Sequence, residues 1–196
     1  MLKGRYMPGL GPDHEGKRAL DIACGSGNNL MLLGTLGCEL YGTEVDESLC
    51  QETTRRLGDL NLEADIRLGY NNALPFEDGF FDLVISWSVI HYASTAEEIR
   101  ANIREYARVT RPGGHLLVLT TGPDHKITRG AEKLDANRYV IGRDDDFRQG
   151  QTFWYFATRE QVSSFFEDTF AQVHVGRVRD ELLTETLDHF LVGAQR

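Results

Sequence analysis

The run Phe81-Asp82-Leu83-Val84-Ile85-Ser86-Trp87 limits the possible folds more than any other stretch of the chain. It is β-branched and aromatic, and apolar enough to be buried on both faces, which is the signature of a central strand in a sheet covered on both sides. Its neighbours follow a strand-helix rhythm. Arg18 to Ala23 (RALDIA) is a short apolar run that stops at CGSG, a buried strand entering a tight glycine turn. A helix is expected over 29–36 and a second strand over Glu39 to Glu44. Ser48 with Gln51 reads as a capping box for a helix toward Leu57, and Asp65 to Gly69 reads as a third strand.

Beyond the central run, Thr95 and Glu98 cap a helix with Ile99, Ile103 and Tyr106 on one face, and Arg111-Pro112-Gly113-Gly114 ends it. His115 to Thr121 supplies a fifth strand. After a long polar stretch, Thr158 and Gln161 cap a helix bearing Val162, Phe165 and Phe166, and Ala171 to Val178 and Leu187 to Ala194 close the chain as strands. Strands alternating with helices predict an α/β fold with a doubly wound, mostly parallel, seven-stranded sheet. The last two strands, with no helix between them, predict an antiparallel hairpin at its edge. With 196 residues, 41% of them hydrophobic, the chain suits a single domain over 1–196.

Composition narrows the function classes. A formal charge of −9 disfavours a non-specific nucleic-acid binder, which needs a basic surface to neutralise phosphates. Cys24, Cys38 and Cys50 form no CxxC pair, so neither zinc nor a redox motif is indicated, and no metal is expected. No segment approaches the length of an apolar membrane span and the N-terminus has no apolar signal core, so a cytoplasmic protein without membrane contact is expected.

In an open α/β sheet, ligands lie at the carboxyl ends of the strands where strand order reverses. The first strand ends in Asp21-Ile22-Ala23-Cys24-Gly25-Ser26-Gly27, where Gly25 and Gly27 allow close backbone approach and expose amides at a helix start, although such a turn also serves purely structural ends. The second strand ends at Glu44, seventeen residues after Gly27, where an acidic side chain can accept from both hydroxyls of an adenosine ribose. Leu30 replaces the third glycine of the dinucleotide fingerprint, and GxxxxGK[ST] is missing. A nucleoside without a diphosphate fits better.

The runs LDIACGSG, YGTEVDESL, ALPFEDGFFDLVISWSVIHY and RVTRPGGHLLVL, in that order, resemble the class I S-adenosylmethionine-dependent methyltransferases, in particular their small-molecule type, which has a Rossmann-like sheet. The resemblance covers Ala19 to Thr121 closely and the chain end more loosely. It implies that S-adenosylmethionine is the cofactor and S-adenosylhomocysteine the product. It further implies that Asp21, Ala23, Cys24, Gly25, Ser26 and Gly27 form the loop against the methionine half, chiefly through the backbone of Ala23 and Gly25. Glu44 would hold the ribose and Val45 would pack on adenine. Tyr70 stands where the family usually has an aspartate that reads the adenine amino group; it would stack, or Asn71 would supply an amide oxygen instead. Ser86, Trp87 and Ser88 would line the reactive methyl. Ala23 stands where many relatives have glycine.

The sulfonium methyl is already activated, so alignment and exclusion of water are the main requirements. For a hydroxyl acceptor, His91 and His125 are the candidate general bases, each with a packing or loop role as its alternative. The end of the central strand, Ser86-Trp87-Ser88-Val89, lacks the Asn-Pro-Pro-Tyr pattern of base-amine methylation. A small polar acceptor, such as a glycan or a carboxylate-bearing metabolite, is expected rather than nucleic acid. Residues 122–157 read as an acceptor-side insertion, whose charges and aromatics fit a solvated face and a core-packing edge better than a ligand site. Residues 1–17 form an N-terminal arm. Either Lys3 to Gly9 closes the pocket, or the chain is truncated, or a neighbouring subunit completes the site, so a monomer and a homodimer both stay open. Two competing functions are a non-catalytic S-adenosyl-binding module and a nucleotide-binding oxidoreductase.

Overall fold

The computed structural model describes residues 2, 7–146 and 148–196. In chain order the elements are β1 (Arg18–Ile22), α1 (Asn28–Gly34), β2 (Glu39–Glu44), α2 (Glu47–Asp59), β3 (Ala64–Leu68), β4 (Phe81–Trp87), a 3-10 turn (Ile90–Tyr92), α3 (Ala96–Val109) and β5 (Thr110–Thr121). A second 3-10 turn (Lys126–Thr128) follows, then β6 (Glu132–Lys133), β7 (Arg138–Val140), β8 (Thr152–Trp154), α4 (Arg159–Ser163), β9 (Ala171–Glu181) and β10 (Thr186–Gln195).

The main sheet has seven strands in the order β3-β2-β1-β4-β5-β10-β9. Strands β1 to β5 pair in parallel, and β10 runs antiparallel to both β5 and β9, so the expected edge hairpin is present. Between β1 and β4 the order reverses, which opens a crevice beyond their carboxyl ends. The central run of the sequence occupies β4 over its full predicted length, with Phe81, Leu83, Val84 and Ile85 all buried. Leu20, Val84 and Val118 face α3 and α4, together with Ile99, Ile103 and Tyr106; Ala19, Leu83, Ile85 and Leu117 face the opposite layer with Leu30 and Leu33 of α1. Burying aliphatic side chains on both faces is what selects a parallel sheet here.

Two expectations need correction. Ser48 is not the cap of α2: the helix begins one residue earlier, and the extended Asp46 caps it, accepting from Ser48 N at 2.8 Å and Leu49 N at 3.3 Å. Arg111-Pro112-Gly113-Gly114 does not lie before the fifth strand but within β5, as an irregularity where Phe81 pairs with Thr110 and Leu83 with His115. Gly113 supports it with φ of +74°, its N–H donating to Arg196 O at 2.7 Å. The stretch 122–157 carries a small antiparallel sheet in the order β6-β7-β8. By contrast, Thr95 and Thr158 cap α3 and α4, accepting from Glu98 N at 3.0 Å and Gln161 N at 3.2 Å. Of the N-terminal arm, residues 3–6 lie outside the described residues; Leu2, Met7 and Leu10 pack into the core layer under α1.

Candidate active site

Register brings the site together. Ile22 pairs with Thr43 on one side and Ser86 on the other, so β1, β2 and β4 end at one level. The loop leaving β1 adopts positive φ at alternate residues, Ala23 (+52°), Gly25 (+53°) and Gly27 (+78°). This geometry needs glycine or a small residue and makes a concave turn of backbone amides. Cys24 N donates to Thr43 O at 3.0 Å and Gly27 N to Cys24 O at 2.9 Å, which locks the turn. Gly27 is the N-terminal cap of α1, and a Cβ on it would press on Thr53 Cγ2 at 3.2 Å and Leu57 at 3.3 Å. At Gly25 a Cβ would meet nothing within 4 Å, so open space lies over the turn.

Glu44 is buried, and its carboxylate spans two backbone donors, Gly25 N to Oε1 at 2.5 Å and Val45 N to Oε2 at 3.3 Å. A carboxylate offers about four acceptor positions. Two are used here, and two remain. Asp21 is buried beneath it; its Oδ1 accepts from Asn29 Nδ2 at 3.2 Å, and its Oδ2 finds no partner among the described residues. Burial pushes Asp21 up to about 7, the bond from Asn29 opposing and the Glu44 charge adding. Ser26 is exposed, and its carbonyl, like that of Gly25, is held by α2, through Arg56 and Thr53 respectively.

Val45 and Tyr70 follow the ends of the paired strands β2 and β3 and are 55% and 57% exposed, large apolar surfaces left uncovered at the mouth of the crevice. Asn71 is half-buried beside them in the turn closed by Tyr70 and Ala73. Trp87 is half-buried at the end of β4, and Ser88 turns the chain with φ of +60°, its N–H donating to Leu119 O at 2.8 Å. Two side chains turn away from the crevice. Ser86 is fully buried on the α3 face, its Oγ 3.3 Å from Tyr106 OH, and Cys24 packs its sulfur over Gly42. Burial drives the Cys24 thiol far above its ordinary range, with Asp21 and Glu44 adding, so this thiol is inert.

His91 and His125 lie beyond the ends of β4 and β5, and both are buried. His91 Nδ1 is 3.3 Å from Thr120 Oγ1 and its ring is 4.3 Å from that of Tyr92. Burial lowers it to about 3, with the charges of His125, Arg148 and His189 adding. His125 Nδ1 accepts from Ile127 N at 3.1 Å, and burial, then His189, lowers it to about 4. Both imidazoles are therefore neutral near pH 7 and weak as bases. His189, missed in the sequence, packs 4.7 Å from His125 because β10 places it opposite Thr121. No local signal marks it; only the hairpin register brings it there.

The arginines of 122–157 are paired: Arg129 and Arg143 with Glu185, Arg138 with Asp135, and Arg148 with Asp146 and Tyr92 OH. Phe153, Trp154 and Phe156 are buried, the latter two in the main core. Among the described residues no group of His, Cys, Asp and Glu could hold a metal, and no helix is long and apolar enough to cross a membrane.

A crevice at the strand-order reversal, an amide turn and an acidic residue one strand away define a nucleoside-binding α/β protein. The model of the methyltransferase domain matches residues 20–118, and the chain belongs to that family, the class that uses S-adenosylmethionine. It is 37% identical over 135 residues to a mouse protein named "Probable tRNA methyltransferase 9B", covering 65% of this chain and 28% of that one. To an uncharacterized protein of Haemophilus influenzae it is 32% identical over 118 residues, covering 57% and 47%. The chain thus spans less than half the length of either. Among solved structures, a methyltransferase of Methanosarcina mazei superposes with a TM-score of 0.73 at 19% identity, covering 93% of both chains. The 1,6-didemethyltoxoflavin N1-methyltransferase of Burkholderia thailandensis superposes at 0.70 with 10% identity, covering 93% of this chain and 72% of that one. Both show the shared fold.

Proposed function

We propose that this chain transfers the methyl group of S-adenosylmethionine to a polar atom of a small acceptor by in-line displacement. The observation that carries the reading is Glu44, buried, fixed by Gly25 N and Val45 N, and left with spare acceptor capacity for the two ribose hydroxyls beside a turn that is open over Gly25. Asp21 and the turn to Gly27 would hold the methionine half, and Val45, Tyr70 and Asn71 the adenine. Once bound, the cofactor would supply a sulfonium-activated methyl: the acceptor lone pair would form the new bond as the carbon–sulfur pair returns to sulfur, and any acceptor proton would leave to solvent with the methylated product. Trp87 and Ser88 would flank that line and keep water out. His91 and His125, held neutral, suit hydrogen bonding to the acceptor better than proton abstraction.

Calorimetry with S-adenosylhomocysteine tests the cofactor side. Glu44→Ala should weaken binding by about 1.5–3 kcal/mol, the worth of hydrogen bonds to a charged group; unchanged affinity removes the ribose assignment. A second reading, an RNA acceptor, draws on the name of the mouse relative. The net charge of −9 weighs against it. Labelled methyl from S-adenosylmethionine entering total tRNA but no small-molecule fraction would decide for RNA.

A further inference from the structure

On the sheet face that carries α1 lies a cavity of about 280 Å³. Leu32 of α1 and Leu36 in the turn that follows it form its roof and rim, Ile85 and Trp87 of β4 with Leu117 of β5 form its floor, and Leu2 closes one side. Among the described residues Asn29 is the single amide or charged side chain in its lining, and its Nδ2 donates to Asp21 Oδ1. The floor is close-packed: Ile85 and Leu117 are each 2% exposed and stand side by side in register, whereas Leu32 at the rim is 53% exposed.

Its lining restricts the occupant. A water needs two to four polar partners to be held in a protein interior, and these walls offer almost none. A sugar or phosphate would lose its hydration without replacement. An apolar group gains dispersion contacts and the hydrophobic term at once. A cavity of roughly 150 Å³ with aliphatic and aromatic walls takes up benzene, so this one has room for an aryl or alkyl group of about ten carbons.

Its position assigns the occupant. Ile85 pairs with Asp21, the first residue of the amide turn's sequence, and lies two residues, on the order of 7 Å, below the carboxyl end of β4. Trp87 belongs both to the cavity wall and to the end of the central strand. The cavity therefore runs from under α1 to the place where the methyl would be presented. We infer that this cavity is an acceptor subsite: it takes the apolar aryl or alkyl body of the methyl acceptor, whose polar reacting atom emerges past Trp87. The inference rests on the methyl-transfer reading and narrows it, since a wholly polar acceptor such as a glycan would leave the cavity unfilled.

Indole is a soluble probe of suitable size, with glucose as the polar control. In protein carrying 13C-labelled Ile and Leu methyls, indole should shift the signals of Leu32, Leu36, Ile85 and Leu117 saturably, and glucose should not. Leu32→Glu, a rim change that leaves the buried floor intact, should weaken indole about tenfold; Ile85→Phe, which fills the floor, should abolish binding. A circular-dichroism melt identifies whichever variant is folded. Saturating S-adenosylhomocysteine should leave indole bound. The subsite is overturned if indole shifts none of these methyls up to its solubility limit, if glucose shifts them equally, or if S-adenosylhomocysteine displaces indole. Indole binding to a protein that takes up no S-adenosylhomocysteine would remove the methyl-transfer reading and, with it, the acceptor assignment, leaving an apolar site of another kind.

Discussion

Asp21 has one oxygen bonded to Asn29 and one with no partner among the described residues, in a fully buried position beside Glu44. In the unfolded chain it releases its proton near 3.8, and in the folded protein it keeps it to about 7. Across that window unfolding releases a proton, so the stability this residue contributes is complete at low pH and is lost as pH rises toward 7. Asp21→Asn keeps the shape without the charge. Relative to wild type, the variant should gain roughly 2–3 kcal/mol between pH 5 and pH 8, read from urea unfolding at the two pH values; a constant difference would mean that Asp21 is charged throughout. The two histidines act with the opposite sign. His91 and His125 stay neutral in the fold to about 3 and about 4, below their ordinary 6.5, so acid unfolding gains a driving force as pH falls from 6.5. His91→Gln should therefore narrow the loss of stability between pH 7 and pH 5, measured by the same titration. At this scale the sequence marks Asp21, Glu44 and the glycines through position alone. It does not mark Ser86 as turned inward, because which face a residue presents depends on pairings with β1 and β5 that no local pattern records.

The caps show how far local chemistry reaches along the elements. Thr95 accepts from Glu98 N, and Glu98 Oε2 in turn accepts from Ser94 N at 2.7 Å, so this helix start is written in five adjacent residues and legible as such. Thr95→Ala should cost about 1 kcal/mol by chemical denaturation, while Thr95→Ser should be close to neutral. At α2 the same pattern points to the wrong residue: Ser48 and Gln51 have the right spacing, but Asp46, two residues earlier, is the residue in the extended conformation. Two cap-type side chains stood within reach, and backbone conformation chose between them. The strands of the hairpin run longer than their apolar runs, to Glu181 and from Thr186, because pairing with each other satisfies their backbone where side chains are charged and exposed.

Residues 122–157 raise the question of whether they fold as a separate cover or as part of the sheet. Their charges tie them outward to the hairpin through Arg143 and Glu185 at 2.8 Å, and to the turn after β4 through Arg148 and Tyr92. Trp154 and Phe156 go further and enter the core shared by α3, α4, β5 and β10. A segment whose aromatics complete the main core cannot leave without opening it, so we expect one cooperative unit over the described residues. The chain's two tryptophans report on the two parts separately, Trp87 on the central strand and Trp154 on β8. In the single-tryptophan variants Trp87→Phe and Trp154→Phe, each fluorescence transition in urea should coincide with the loss of far-ultraviolet dichroism of the same variant. Phe156→Ala should lower both midpoints together, at a cost of about 3–5 kcal/mol for a buried aromatic. If Trp154 fluorescence changes at lower urea than the dichroism, residues 122–157 open on their own. They would then be a cover that admits the acceptor, and the substrate side of the site would have to be sought in its opened form.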